Sequence, residues 1–159
     1  MIDIAAAARQ VIRLIDANGV TMRKAVILVG AEPDRDAVFA ATAAQTAAIV
    51  HNVGLELSDA MIASANTRVD AATIIADLAP GDGLLLLDRI HILMLPALHV
   101  DVIDTLNRVA RRRPVCVSWP GRFEQGRLRY ADQNHPECLD EDASRALVHD
   151  LSNNEGTEP

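Results

Sequence analysis

Aromatic side chains are scarce: one tryptophan, one tyrosine and two phenylalanines, 3% of 159 residues. Alanine, valine, leucine and isoleucine must therefore build the core. Lysine is rarer still, Lys24 alone against fourteen arginines, which reads as compositional drift and not as a nucleic-acid signal. The two cysteines, Cys116 and Cys138, have neither pair nor quartet spacing, so no disulfide framework or zinc ribbon is written here. Long apolar runs are missing too. Gly83–Leu87 is the most apolar short stretch, far below the ~20 residues of a membrane span. The opening Met-Ile-Asp-Ile-Ala lacks the basic start and apolar run of a signal peptide, and the expectation is a soluble cytoplasmic protein without membrane contact. Positive charge is outweighed. A net charge of −7 argues against tight non-specific nucleic-acid binding by the lone chain, leaving room only for a local basic patch. At 17.1 kDa, with 50% hydrophobic and 23% charged residues, the composition is globular. A chain of this size buries roughly 70% of its unfolded surface, so folding needs no metal or disulfide staple.

What is present alternates between helix and strand patterns. Ile4, Ala8, Val11, Ile12 and Ile15 fall on one face of a helix over 3–17, and Asn18-Gly19 supplies a stop. Residues 24–30 (KAVILVG) form an apolar run suited to a strand buried on both faces. Pro33, Asp34 and Asp36 suit the start of a helix over 33–48. A short strand at 49–53, helical pieces near 57–65 and 69–79, and a Pro80–Gly83 turn follow. Then come a strand at 84–88 (LLLLD), a helix at 100–111 and a strand at 115–119 (VCVSW). Leu128 and Tyr130 alternate with Arg127 and Arg129 as in an exposed, antiparallel edge strand. The expectation is a single three-layer α/β domain over 1–151, with a mostly parallel sheet and an antiparallel edge strand, then a disordered acidic tail at 152–159.

A buried strand ending in glycine before a helix is the setting of a phosphate-binding P-loop, Gly-x4-Gly-Lys-Ser/Thr. Its second glycine lets the backbone form an anion nest, the lysine reaches the terminal phosphates, and the hydroxyl holds magnesium. Aligned on Gly30, these positions are Arg35, Asp36 and Ala37, and all three requirements fail. Glu32, Asp34 and Asp36 would repel a triphosphate by about 1–4 kcal/mol per close pair. Lys24 cannot substitute, because seven residues of strand put it ~20 Å from the loop. The fold expectation is P-loop NTPase-like with a degenerate phosphate loop. Four leucines and Asp88 match the strand and acid that hold magnesium in such proteins, which makes Asp88 either a vestigial metal site or an aspartate placed at a strand end for its turn. Arg89 replaces the following catalytic acid and can pair with Asp88 or the loop acids. Ser118 ends the fourth strand, where P-loop ATPases place a polar phosphate sensor; without a competent loop, a local hydrogen bond explains it.

Other candidates have simpler explanations beside the functional ones. Asp34-x-Asp36 resembles a magnesium pair, but helix-start acids account for it. His91 and His99 lack zinc spacing. Cys116 reads as a small apolar core residue. Arg111, Arg112 and Arg113 complement a helix C-terminus, or with Arg122, Arg127 and Arg129 make a face for nucleic acid or an acidic partner. Trp119 is either core or an interface anchor.

Several stretches resemble the BrxF family, the small P-loop proteins of type 3 BREX bacteriophage-exclusion systems. They are His51-Asn-Val-Gly-Leu-Glu-Leu-Ser58, the LLLLD segment with Ile90 and Leu93, and Arg112 through Trp119-Pro-Gly121. Gly126-Arg-Leu-Arg-Tyr-Ala131 and His135-Pro-Glu137 add to them, so the resemblance covers about residues 20–137. The family pattern has an intact phosphate loop and Asp-Asn-Ile-Glu at the third strand, where this chain has Asp88-Arg-Ile-His91. The departures fall on the nucleotide chemistry. The resemblance implies a cytoplasmic, non-catalytic subunit of an antiphage system, with a BREX methyltransferase, phosphatase-like protein and large ATPase as partners and no cofactor. The alternatives are an atypical Mg-ATP-binding NTPase that uses Asp88, and a nucleic-acid-binding module that uses the arginine face within a complex.

Overall fold

Residues 2–18, 23–63, 70–131 and 134–153 are described by the structure, a computed structural model. Five parallel strands make the main sheet: β1 (Val26–Val29), β2 (Val50–Asn52), β3 (Leu85–Asp88), β4 (Val115–Ser118) and β8 (Leu147–Asp150), in the order β2-β3-β4-β1-β8. The registers pair Leu28 with Ser118 and His149, and Leu87 with Val117 and His51. All four residues of β1 are buried, as a strand covered on both faces requires.

The pleat divides that apolar run between two layers. Val26 and Leu28, with Leu86 and Cys116, face helices α1 (Ile4–Ala17) and α2 (Glu32–Thr46). Ile27 and Val29, with Leu85, Leu87, Val115 and Val117, face the helices α3 (Val53–Ala63), α4 (Ala71–Ala76) and α5 (Val102–Arg112). The result is the expected three-layer α/β architecture. Asp3 caps α1 by accepting from the Ala6 N–H at 3.0 Å, and Asp101 caps α5 by accepting from Asp104. Asn18 ends α1 and bonds both backbone groups of Lys24; the stop expected at Gly19 lies outside the described residues.

The strand expected at 126–130 is antiparallel, but it pairs in a sheet of its own. β5 (Arg122–Glu124), β6 (Arg127–Tyr130) and β7 (Leu139–Asp142) form that second sheet. Gln125 and Gly126 both have positive φ, 52° and 74°, the two-residue turn whose twist matches a hairpin. The edge of the main sheet is instead β8, which is parallel to β1. Leu128 carries the small sheet into the core beside Trp119, Phe123, Tyr130 and Leu139. Order continues past 151: Leu151 is buried, and the Ser152 N–H and hydroxyl both donate to Asp150. The rest of the expected tail, from 154, lies outside the described residues.

Candidate functional site

The carboxyl ends of parallel strands are where open α/β sheets bind ligands. Here β4 lies between β1 and β3, which sets Gly30, Ser118 and Asp88 side by side at that end. Only Gly30 and Ala31 separate the last residue of β1 from the first of α2. Pro33 and the first-turn acids Glu32 and Asp34 start the helix at once. Arg35, Asp36 and Ala37 therefore lie inside α2. They do not form a phosphate loop, not even a degenerate one, and there is no run of loop amides to wrap a phosphate. Gly30, with φ of +150°, is covered by Leu151: a Cβ there would come within 2.9 Å of the Leu151 Cβ.

Arg35 fills the space between the strand ends. It is 7% exposed, donates from Nε to the Gly30 carbonyl at 2.9 Å, and from Nη1 to Ser118 Oγ at 2.5 Å. Burial pushes its pKa down from the ordinary arginine value, opposed by the carboxylates of Asp88, Glu32 and Asp36. A guanidinium stays charged even so. Arg89, in the left-handed region at φ 55°, closes the other side. Its Nε lies 3.7 Å from Asp88 Oδ2 and its Nη1 lies 3.8 Å from Glu32, while its N–H donates to Asp88 Oδ1 at 2.8 Å. Arg89, expected to pair with Asp88 or the acids after β1, lies beside Asp88 and, at 3.8 Å, beside Glu32 of the first turn of α2.

The residues do not fit Mg-ATP. A fixed guanidinium holds the position between Gly30 and Ser118, and both Asp88 oxygens face Arg89. Lys24 is at the opposite end of β1, donating from Nζ to the Ser144 carbonyl at 3.0 Å. No group of three or more His, Cys, Asp or Glu side chains among the described residues is arranged to hold a metal ion. Cys116 is wholly buried, and burial pushes its thiol up to about 12, so it carries no thiolate at neutral pH.

The arginine-rich candidates separate. Trp119 is completely buried and donates from Nε1 to the Arg129 carbonyl at 3.1 Å, so it is core and not an interface anchor. Arg113 is 4% exposed, so it too is no surface contact; it donates to the carbonyls of Gly83, Ala76 and Ala79. Arg111 and Arg112 end α5, where successive residues turn by about 100°, and Arg113 follows as its cap in extended conformation, so the three arginines do not share a face. Arg111 stays exposed, and Arg112 pairs with Asp77 at 2.8 Å. Arg122 and Arg129 share Glu124, while Arg127 meets Asp140 at 2.5 Å. The described residues of 122–142 hold three arginines against five acids, so the arginines are outnumbered where they stand.

Two features were not singled out from the sequence. His51 is buried and shares its Nδ1 with the Glu56 carboxylate at 3.1 Å; five residues apart across a strand–helix junction is no helix-face spacing. The second is the apolar exterior of β2 and α3, where Ile49, Leu55 and Ile62 are 65%, 62% and 75% exposed, with Val50 and Met61 beside them. The signal was present in α3, which is apolar nearly all round although one face alone meets the core. No protein-family model matches the chain, and no curated protein matches its sequence.

Proposed function

We propose that the chain is a non-catalytic subunit of a BREX-type antiphage assembly, as its resemblance to the BrxF family implies, and that it acts by binding protein partners in the cytoplasm. The observation that carries this reading is Arg35, an internal cation fixed between Gly30 and Ser118, where a nucleotide phosphate would need to lie. With its strand ends locked by Arg35 and Arg89, the site is a static surface and not a switch driven by hydrolysis. An apolar exterior on β2 and α3 supports a role in assembly, since clustered large apolar groups on a surface mark interaction sites. The partners are the methyltransferase, phosphatase-like protein and large ATPase of such a system. An NTPase built on Asp88 is less well supported, because that carboxylate is engaged by Arg89. Nucleic-acid binding by the arginine face is less well supported, because Arg122, Arg127 and Arg129 are paired with acids.

Co-expression with those three partners and affinity purification of this chain tests the reading. The wild type is expected to retain at least one partner through size exclusion. Leu55→Glu/Ile62→Glu, both exposed positions, is expected to lose it while melting at the wild-type temperature. Retention of none by the wild type would overturn the proposal.

A further inference from the structure

At the opposite end of the sheet from Arg35, a cavity of about 300 Å³ opens between the entries to β2 and β3. That is the lower end of the range for small-molecule sites. Its walls are mostly apolar, with Ala48, Ala79, Pro80 and Leu84 among them and Ile49 at an exposed rim. Arg113 and His51 are its charged and titratable lining groups. Arg113 is more than nine-tenths buried, yet no carboxylate pairs with it among the described residues; its partners are three backbone carbonyls. Nε takes Gly83 and Nη1 takes Ala76 and Ala79, so both N–H groups of Nη2 are without a protein partner among the described residues. A buried guanidinium lacking a counter-ion is costly, and with Nε and Nη1 committed, Nη2 is left to donate a charge-assisted N–H to an anionic oxygen. His51 has its Nδ1 committed to Glu56, which leaves Nε2 for a second polar contact.

We infer that this cavity is a binding site for a small monocarboxylate with an aliphatic body, its carboxylate on Arg113 Nη2 and its chain along Ala48, Ala79 and Leu84. A phosphate dianion is the poorer match, because Nη2 is the one uncommitted guanidinium nitrogen and a dianion needs more donors and more positive charge than it supplies. The site does not rest on the assembly role proposed above, although its rim residue Ile49 also belongs to that apolar exterior.

The test titrates the full chain with butanoate, hexanoate, 1-hexanol and hexylamine, following the methyl resonances of Ile49 and Leu84. Hexanoate is expected to saturate at millimolar concentration and to bind about tenfold tighter than butanoate, the effect of two buried methylenes. The alcohol and the amine are each expected to bind at least about tenfold weaker than hexanoate, because neither supplies the anion. Removing Arg113 risks the fold, so the variants are made at the exposed rim. Ile49→Asp should weaken hexanoate about fivefold or more by charge repulsion, and Ile49→Asn should stay within about twofold of wild type. Hexanol binding as tightly as hexanoate, equal affinities in the two rim variants, or no saturation by about 50 mM would each overturn the site and leave Arg113 as a clamp on carbonyls.

Discussion

Arg35 illustrates how one side chain can decide the character of a strand-end cleft. It satisfies the Gly30 carbonyl and the Ser118 hydroxyl and supplies positive charge against Asp88 and the acids of α2. Arg35→Met strands those acceptors and leaves the carboxylates uncompensated, and is expected to lose about 2–4 kcal/mol in urea unfolding. Adding Ser118→Ala should then cost less than it does alone, the sub-additivity of a direct pair. Additive losses would mean the two do not depend on each other. His149, on the edge strand β8, behaves differently. Burial lowers its pKa below the ordinary histidine value, Asp150 opposes this, and Nε2 has no hydrogen-bond partner among the described residues. Just below the ordinary histidine pKa of about 6.5, the unfolded chain takes up a proton that the folded chain resists, so His149 stability is present at neutral pH and lost as pH falls through that window. His149→Leu should flatten the decline in melting temperature between about pH 7.5 and 5.5 relative to wild type. An unchanged pH profile would contradict this role.

At the level of elements, Trp119-Pro-Gly121 shows why a motif is more than a turn. The Trp119 indole bonds the Arg129 carbonyl, and that same carbonyl occupies the space beside Gly121: a Cβ there would stand 1.8 Å from the oxygen. Gly121→Ala must push β6 away from the main sheet and is expected to cost several kcal/mol, whereas Gly83→Ala, with open space around it, should cost under about 1 kcal/mol. Comparable urea midpoints for the two would refute the contact. The elements that could be read from sequence were those with strong periodicity or continuous burial. Helix α1, strands β1, β3 and β4 and helix α5 appear within a few residues of where their patterns place them. Strand β8 was missed, because Leu-Val-His-Asp at a half-buried edge has neither an apolar run nor clean alternation. Strand β6 is antiparallel as its alternation predicts, but it lies between β5 and β7 in a separate sheet and not at an edge, because alternation reports one wet face and does not name the neighbouring strands. At the strand-end site, the failure of the phosphate pattern was legible; the inward turn of Arg35 was not, since only the fold brings Ser118 to it across 83 residues.

For the whole molecule, two ends of one sheet carry different chemistry. The carboxyl end is closed by buried Arg35, bonded to Gly30 and Ser118, and by Arg89 beside Asp88 and Glu32, while the amino end keeps one Arg113 nitrogen without a partner among the described residues, beside a cavity. Between them, β2 and α3 present the apolar exterior on which the assembly role depends. Arg35 sets the protein's own cation where a phosphate would lie. Thermal melting with and without millimolar Mg-ATP checks this, and the melting temperature is expected to be the same in both. A ligand at 100 times its Kd adds about 2.7 kcal/mol, which for a chain of this length is a rise of several degrees. A rise of that size, abolished by Asp88→Asn, would contradict the account and make the chain a nucleotide-binding protein.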